Sequence, residues 1–472
     1  MVFSSLLYLF LYLPAALAVY YILPQTWPKN RRNAALFISS LLFYAWGEPV
    51  YVLLMLFTIS FGWFTGILLE RWQAARQRAK AVLIVNIVVN LGILCFFKYG
   101  DFFIHNINSL AGLHLVRPSL PLPLGISFYM FQTISYAVDI YRGATPPQPN
   151  IINYGAYVAM FPQLIAGPII RYNTVAGQIE NRRETLRLFG GGAGLFTVGL
   201  AKKVLLANNI GAFWDTVKAL PAEEMTVLAA WSGIIAFGLQ LYFDFSGYSD
   251  MAIGLGRMLG FRFERNFFYP YVSRSVSEFW RRWHISLGTW FREYLYIPLG
   301  GSRGGRLRTV LNLFAVWAAT GFWHGANWNF IFWGLYYFLF LAGEKMIWGS
   351  LLDQTPKGLR HLYVLAVVMA GWALFVFEDL GSLGIFIRAL GGIAGGGWAN
   401  DRILYSLSSW GFLLLAAAIG ATPLAASALR WSEGKWPSGM AVVKPALLLA
   451  GLVLSTAYLV DSSYNPFLYF RF

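Results

Sequence analysis

The chain is poor in charge and in cysteine. It has 36 Lys and Arg and 21 Asp and Glu in 472 residues, 12% of the total, where an average soluble protein carries roughly 25%. Charge this sparse cannot cover the roughly three soluble domains that this length would ordinarily make. One cysteine, Cys95, excludes an internal disulfide and with it a secreted disulfide scaffold. Cys95 lies in an apolar run, residues 81–97, without the electropositive neighbourhood that a thiolate nucleophile needs, so it reads as a packing residue. Several reactive motifs are also missing. There is no GxSxG elbow, no HExxH zinc pair and no GxxxxGK phosphate loop. None of the five histidines has an aspartate four residues later, which excludes the HxxxD pattern of many acyltransferases. No metal site is expected.

What the chain has in excess is apolar surface. Hydrophobic residues make up 58%, against a usual 45–50%, and the surplus must face lipid. Soluble, disordered and fibrous classes are thereby excluded. The formal net charge is +15. In a soluble protein this would suggest nucleic acid, but the aromatics sit inside apolar runs and no nucleic-acid-binding module is visible. In a membrane protein, Lys and Arg collect in cytoplasmic loops, against an anionic leaflet. The expectation is an all-α, multi-pass protein of the cell inner membrane, in contact with membrane lipids.

Residues 2–23 are apolar, and the basic cluster Lys29, Arg31 and Arg32 follows them. A signal peptide has the opposite polarity, so this reads as a retained first span with its N-terminus outside. Residues 34–69 are too long for one crossing, which takes about 20 residues. The break at Gly47-Glu48-Pro49 makes them two spans. Residues 81–97 form the fourth span, residues 98–118 an outside amphipathic or loop segment, and residues 120–140 a further span. Residues 150–170 are apolar but interrupted by Pro162, Gly167 and Pro168, which predicts a re-entrant or interfacial segment. Later spans are expected near 188–207, 225–245, 309–323, 330–348, 362–377, 403–425 and 442–459, about 11–12 crossings in all. There is no internal repeat of the kind that marks many transporters, and one integral-membrane domain over 1–472 is expected.

Residues 257–308 behave as neither loop nor span. They hold ten arginines and three glutamates, +7 of the total, and are dense in Trp, Phe and Tyr. The alternation Phe279-Trp-Arg-Arg-Trp-His284 suits an interfacial helix with rings down and charges up. Glu278 and Arg282 are spaced to pair. Membrane anchoring alone would explain the pattern. The functional reading is a basic surface, with Arg281, Arg282 and Arg292, that receives a phosphorylated carrier.

His324 lies in Gly321-Phe-Trp-His-Gly-Ala-Asn-Trp-Asn329, between two apolar spans. An ionisable residue at membrane depth is costly and marks function by default. A neutral imidazole can accept a proton from an alcohol. The glycines at 321 and 325 are expected to leave room for substrate, and Asn327 and Asn329 to supply hydrogen bonds. His284, in the basic segment, is the second site histidine. His105, His114 and His361 sit near span ends and read as solvated or interfacial. Asp139, Asp244 and Asp250 read as helix organisers, Gly254-Leu-Gly256 and the pair Gly62 and Gly66 as helix contacts.

Together these segments resemble the membrane-bound O-acyltransferases, most closely the bacterial branch that includes the alginate O-acetylation membrane protein. The resemblance rests on Met1-Val-Phe-Ser-Ser5, Phe96-Phe-Lys-Tyr-Gly-Asp-Phe-Phe103, Phe161-Pro-Gln-Leu-Ile-Ala-Gly-Pro168 and Tyr242-Phe-Asp-Phe-Ser-Gly-Tyr-Ser-Asp250. It continues through Phe279-Trp-Arg-Arg-Trp-His-Ile-Ser-Leu287, Gly321-Phe-Trp-His-Gly325 and the ending Tyr464-Asn-Pro-Phe-Leu-Tyr-Phe-Arg-Phe472. It implies a ring of transmembrane helices around a central tunnel, with His324 as the principal catalytic histidine and His284 as the second. It implies transfer of an acyl group, acetyl in this branch, from a cytoplasmic thioester donor such as acetyl-CoA. The receiver would be a periplasmic esterase-like acetyltransferase partner, and the final acceptor a polysaccharide such as alginate. No permanently bound cofactor is implied. Two rivals remain at this point. D-alanyl transfer to teichoic acid lies within the family, and a saccharide or lipid transporter lies outside it.

Overall fold

The computed structural model describes residues 3–24, 26–116, 120–165 and 167–461. The 464–472 ending, Met1 and Val2, and Ala166 within the 161–168 motif lie outside them. The described residues are helical, and eight helices are long and apolar enough to cross a membrane. These are Val52–Arg71, Arg76–Ala111, Leu186–Lys218, Val227–Met258, Trp328–Gln354, Lys357–Val376, Asp401–Gly420 and Pro437–Asp461. Tyr8–Ile22 and Leu380–Leu390 are apolar but shorter. The dozen crossings expected from hydropathy thus divide into eight full-length apolar helices and several shorter or more polar ones.

Most helix limits follow local chemistry. Gly47-Glu48-Pro49 ends Lys29–Gly47, and Val52–Arg71 begins three residues later, as the sequence predicts. Pro121, Pro123 and the left-handed Gly125 (φ 69°) delay the next helix to Ile126–Arg142. Residues 150–170 form Ile151–Ala159 and Phe161–Leu164, interrupted at Met160. Of the two readings of 98–118, the loop fails for most of the segment, because Arg76–Ala111 runs unbroken past Phe97. Nothing stops it until Gly112, which takes the left-handed conformation (φ 62°) favoured just past a helix end.

The chain forms two compact units, one of Met1–Phe196 with Met251–Glu264, the other of Thr197–Asp250 with Arg265–Phe472. In the first, the helix ends alternate. Lys29–Gly47 starts and Val52–Arg71 finishes at basic residues, Arg76–Ala111 starts at one, and Ile126–Arg142 finishes at one. A buried cluster ties this basic end together. Glu184 faces Lys29 at 2.7 Å, Arg32 at 3.0 Å and Arg182 at 3.6 Å, and accepts from the Tyr20 hydroxyl at 2.7 Å. Burial alone would raise the Glu184 pKa, but the hydrogen bonds from Lys29 and Tyr20 outweigh it and hold the carboxyl below its ordinary value. Glycines set the helix spacing. A Cβ on Gly66 would lie 2.6 Å from the Tyr136 ring, and one on Gly254 2.6 Å from the Gly192 carbonyl. Both glycine motifs are therefore helix contacts.

In the second unit, Lys203 and Asp244 form a buried ion pair at 2.5 Å, and Lys202 and Asp250 pair at 2.6 Å. The two aspartates join neighbouring apolar helices, as expected of helix organisers. Cys95 is exposed on the apolar Arg76–Ala111 helix.

Candidate active site

The basic aromatic segment is built from short pieces. A 3₁₀ turn at Pro270–Val272 leads to the helices Val276–Arg282 and Ile285–Phe291. Ser275 caps the first helix through the Glu278 amide at 3.0 Å. A second anchor was not visible in the sequence. Glu344, buried near the end of the Trp328–Gly343 helix, accepts from the Val276 amide at 2.6 Å, the Ser277 amide at 2.8 Å and the Ser277 hydroxyl at 2.7 Å. A carboxylate at a helix start satisfies amides that have no partner within the helix. The only advance signal was an acidic residue at the edge of an apolar run.

His284 stands between the two short helices with φ 44°, one of two non-glycine residues of positive φ among the described residues. This strained backbone turns its Nδ1 onto the Leu287 amide at 3.4 Å. Nδ1 then acts as an acceptor, so the neutral ring carries its proton on Nε2. Burial pushes the His284 pKa down to about 4, and the ring is uncharged at neutral pH.

His324 is the last residue of the Gly305–His324 helix, about 28 Å along the axis from Gly305 at 1.5 Å per residue. Its ring lies edge-on among Trp333 at 4.8 Å, Trp323 at 4.9 Å and Phe375 at 5.4 Å. The Trp323 ring also lies 6.3 Å from that of His284. Both histidines line one cavity of about 910 Å³. Arg281 and Arg292 line it too, with Lys345 and Arg360. Arg281 is exposed and has no ion pair among the described residues. Arg292 is 69% exposed, with Glu293 no nearer than 3.9 Å. Arg282 is placed differently. It pairs with Glu278 at 2.8 Å and does not line the cavity, so the i,i+4 pairing expected from its spacing forms. Glu278, Glu344 and Asp353 also line the cavity, so its rim carries both signs of charge.

The flanking residues of His324 differ from expectation. Gly321 and Gly325 do not open space beside the ring. A Cβ on Gly321 would lie 2.5 Å from the Phe330 carbonyl, and one on Gly325 would run into the Phe330 ring. Gly334 answers from the facing helix, 2.5 Å from the Trp317 carbonyl by the same measure. The glycines let two helices pack closely, as small residues do in membranes. The two asparagines do structural work as well. Asn327 caps the next helix through the Trp328 amide at 2.6 Å, and Asn329 donates to the Phe375 carbonyl at 3.0 Å. His105 and His114 are exposed, and His361 Nδ1 lies 3.0 Å from the Ser273 carbonyl oxygen. Among the described residues no group of three His, Cys, Asp or Glu forms a metal site.

One cavity of this helical protein thus holds both histidines, with cations on its lining. The sequence profile of the membrane-bound O-acyltransferase family, MBOAT, matches residues 52–386. The chain belongs to this family and is a multi-pass membrane O-acyltransferase. Among its relatives, the "Probable alginate O-acetylase AlgI" of Azotobacter vinelandii is 38% identical over all of both chains. The "Peptidoglycan O-acetyltransferase" of Helicobacter pylori is 33% identical over 84% of this chain and 80% of its own. The "Teichoic acid D-alanyltransferase" of Streptococcus thermophilus is 26% identical over 45% of this chain and 54% of its own.

Proposed function

We propose that this protein takes an acetyl group from a cytoplasmic thioester and passes it outward across the inner membrane for O-acetylation of a polysaccharide. The observation that carries the reading is one cavity that holds both His284 and His324, with Arg281 and Arg292 on its lining. A thioester on coenzyme A or a carrier protein is anionic and cannot cross lipid. Arginines pair with its phosphates while the acyl arm reaches inward. His324 takes the proton of the acceptor hydroxyl, whose oxygen attacks the thioester carbonyl. His284, through Nε2–H, donates a hydrogen bond to the carbonyl oxygen as negative charge develops there. The new C–O bond forms, the C–S bond breaks, and the proton held by His324 neutralises the departing thiolate.

The acetyl reading over D-alanyl transfer is supported by full-length similarity to a protein named for alginate O-acetylation, against partial similarity to one named for D-alanylation. The basic helix ends face the cytoplasm by the positive-inside rule. A histidine within the membrane cannot contact a hydrated polymer without a route to the outer face. In this reading the receiver is therefore a hydroxyl of a periplasmic esterase-like acetyltransferase, which completes transfer to a glycan such as alginate.

The test is mass spectrometry of extracellular glycans from cells with and without the gene. Loss of O-acetyl groups is expected, and unchanged acetylation overturns the reading. Purified protein given acetyl-CoA and polysaccharide alone is expected to acetylate little of it. Efficient transfer under those conditions removes the need for a partner.

A further inference from the structure

In the first unit, a concavity of about 450 Å³ is lined by Arg183, Thr185, Arg187, Gly191, Arg257 and Arg262, among others, with no acidic residue. It shares no lining residue with the histidine cavity, although Arg257 and Arg262 come from the N-terminal end of the basic 257–308 segment. Its construction is specific. Thr185 caps the Leu186–Ala201 helix through the Leu188 amide at 3.2 Å, which brings Arg187 and Gly191 to the rim. Gly192 packs on the Gly254 carbonyl, and a Cβ there would lie 3.0 Å from the Arg257 Cβ. That close approach sets Arg257 beside the first turns of the helix. Gln178 holds the Arg262 backbone amide at 2.7 Å. Gly191 itself is open, since a Cβ there would meet nothing within 4 Å.

The nearby carboxylates do not neutralise this cluster. Glu184 is occupied by Lys29, Arg32 and Arg182. Glu264, two residues beyond Arg262, forms no ion pair among the described residues. None of the four guanidiniums lining the concavity has a carboxylate partner among those residues. Four arginines that line one concavity without a carboxylate partner repel one another. Such a cluster gains from a ligand with more than one negative oxygen, and the planar guanidinium fork matches phosphate oxygens in pairs.

We propose that this concavity is a binding site for a phosphate group, separate from the donor site. It lies where apolar helices begin and end, at Leu186 and Met258, the depth at which lipid headgroups sit. The phosphate can come from an anionic phospholipid headgroup or from a soluble phosphorylated molecule.

Purified full-length protein in detergent is tested with phosphatidylglycerol and phosphatidylcholine by native mass spectrometry, and with inorganic pyrophosphate by calorimetry. Saturable binding of at least one anionic probe is expected, weakening as salt rises. Arg187→Gln with Arg257→Gln should weaken it at least tenfold, as should the exposed pair Arg183→Gln with Arg262→Gln. Either result then counts even if the other variant folds poorly. Arg31→Gln with Arg78→Gln, outside the concavity, should leave it unchanged. Retention of phosphatidylglycerol over phosphatidylcholine assigns the headgroup, and binding of pyrophosphate alone assigns the soluble source. If neither anionic probe saturates, if both arginine pairs leave binding intact, or if the control pair weakens it equally, the proposal is wrong.

Discussion

Replacing His324 by glutamine keeps a hydrogen-bonding side chain among Trp323, Trp333 and Phe375 but removes the group that takes up a proton. Acetyl transfer should fall by about 10²–10⁴-fold, with the thermal midpoint in detergent nearly unchanged. Near-normal transfer by His324→Gln would show that another group is the base. His284 makes a different forecast, because its pKa is pushed down to about 4 from an ordinary value of 6.5. Below pH 6.5 the unfolded chain takes up a proton there and the folded one does not. Stability is therefore lost as pH falls from 6.5 to about 4, by on the order of 3 kcal/mol at most. His284→Gln should lose less stability than the wild-type protein over that range. Equal acid sensitivity in thermal unfolding from pH 7.5 to 4.5 would contradict the half-buried neutral ring. The sequence singled out both histidines of this cavity, through their setting and the family resemblance. The protonation of His284 was not legible, because it depends on a left-handed backbone and a capping bond that no spacing announces.

At the scale of elements, Glu344 holds the start of the Val276–Arg282 helix through three donors. Glu344→Ala leaves them unpaired, at a cost of about 1–3 kcal/mol for each one that stays buried. The expected result is a lower thermal midpoint together with reduced transfer, because the same helix carries Arg281 and precedes His284. If Glu344→Ala changes neither, the anchor does not position the site. Gly321→Ala forces a methyl against the Phe330 carbonyl and should cost about 1–3 kcal/mol through overpacking. Detergent melting curves measure it. Helix identity was largely legible from apolar runs and breakers, which is why the turn at Gly47 fell at its predicted place, whereas the span read from residue 120 begins only at Ile126. The extension of Arg76–Ala111 was not, since Gly100, Asp101, Asn106, Asn108 and Ser109 read as loop residues by both polarity and propensity, while the helix continues through them to Gly112. The Gly321 misreading has the same root. A small residue opens space only if nothing packs there, and its neighbour is nine residues further along the chain.

For the whole molecule, the net charge of +15 was the least specific signal in the sequence, and the structure divides it into separate tasks. Some cations are internal partners, such as Lys203 with Asp244. Others, Arg281 and Arg292, stand beside the histidine cavity. Substituting Arg281, Arg282 and Arg292 together by Gln should weaken donor binding and flatten its dependence on salt, because exposed charge pairing is screened. Most of that effect should come from Arg281 and Arg292, since Arg282 is held by Glu278. Unchanged donor affinity and salt response in the triple variant would reduce all three to membrane anchors. The division of labour among the arginines could not be read from the segment's composition, because it depends on which carboxylates fold back onto which cations. The cavity has one more property with a consequence. All its lining residues fall between Ser275 and Arg360, and Glu344, which anchors them, lies inside the same stretch. A recombination that cuts on either side of this stretch carries the cavity lining and both histidines together. It parts them from Phe375, whose ring lies 5.4 Å from that of His324 and whose carbonyl accepts from Asn329. The Lys357–Val376 helix must therefore travel with the stretch.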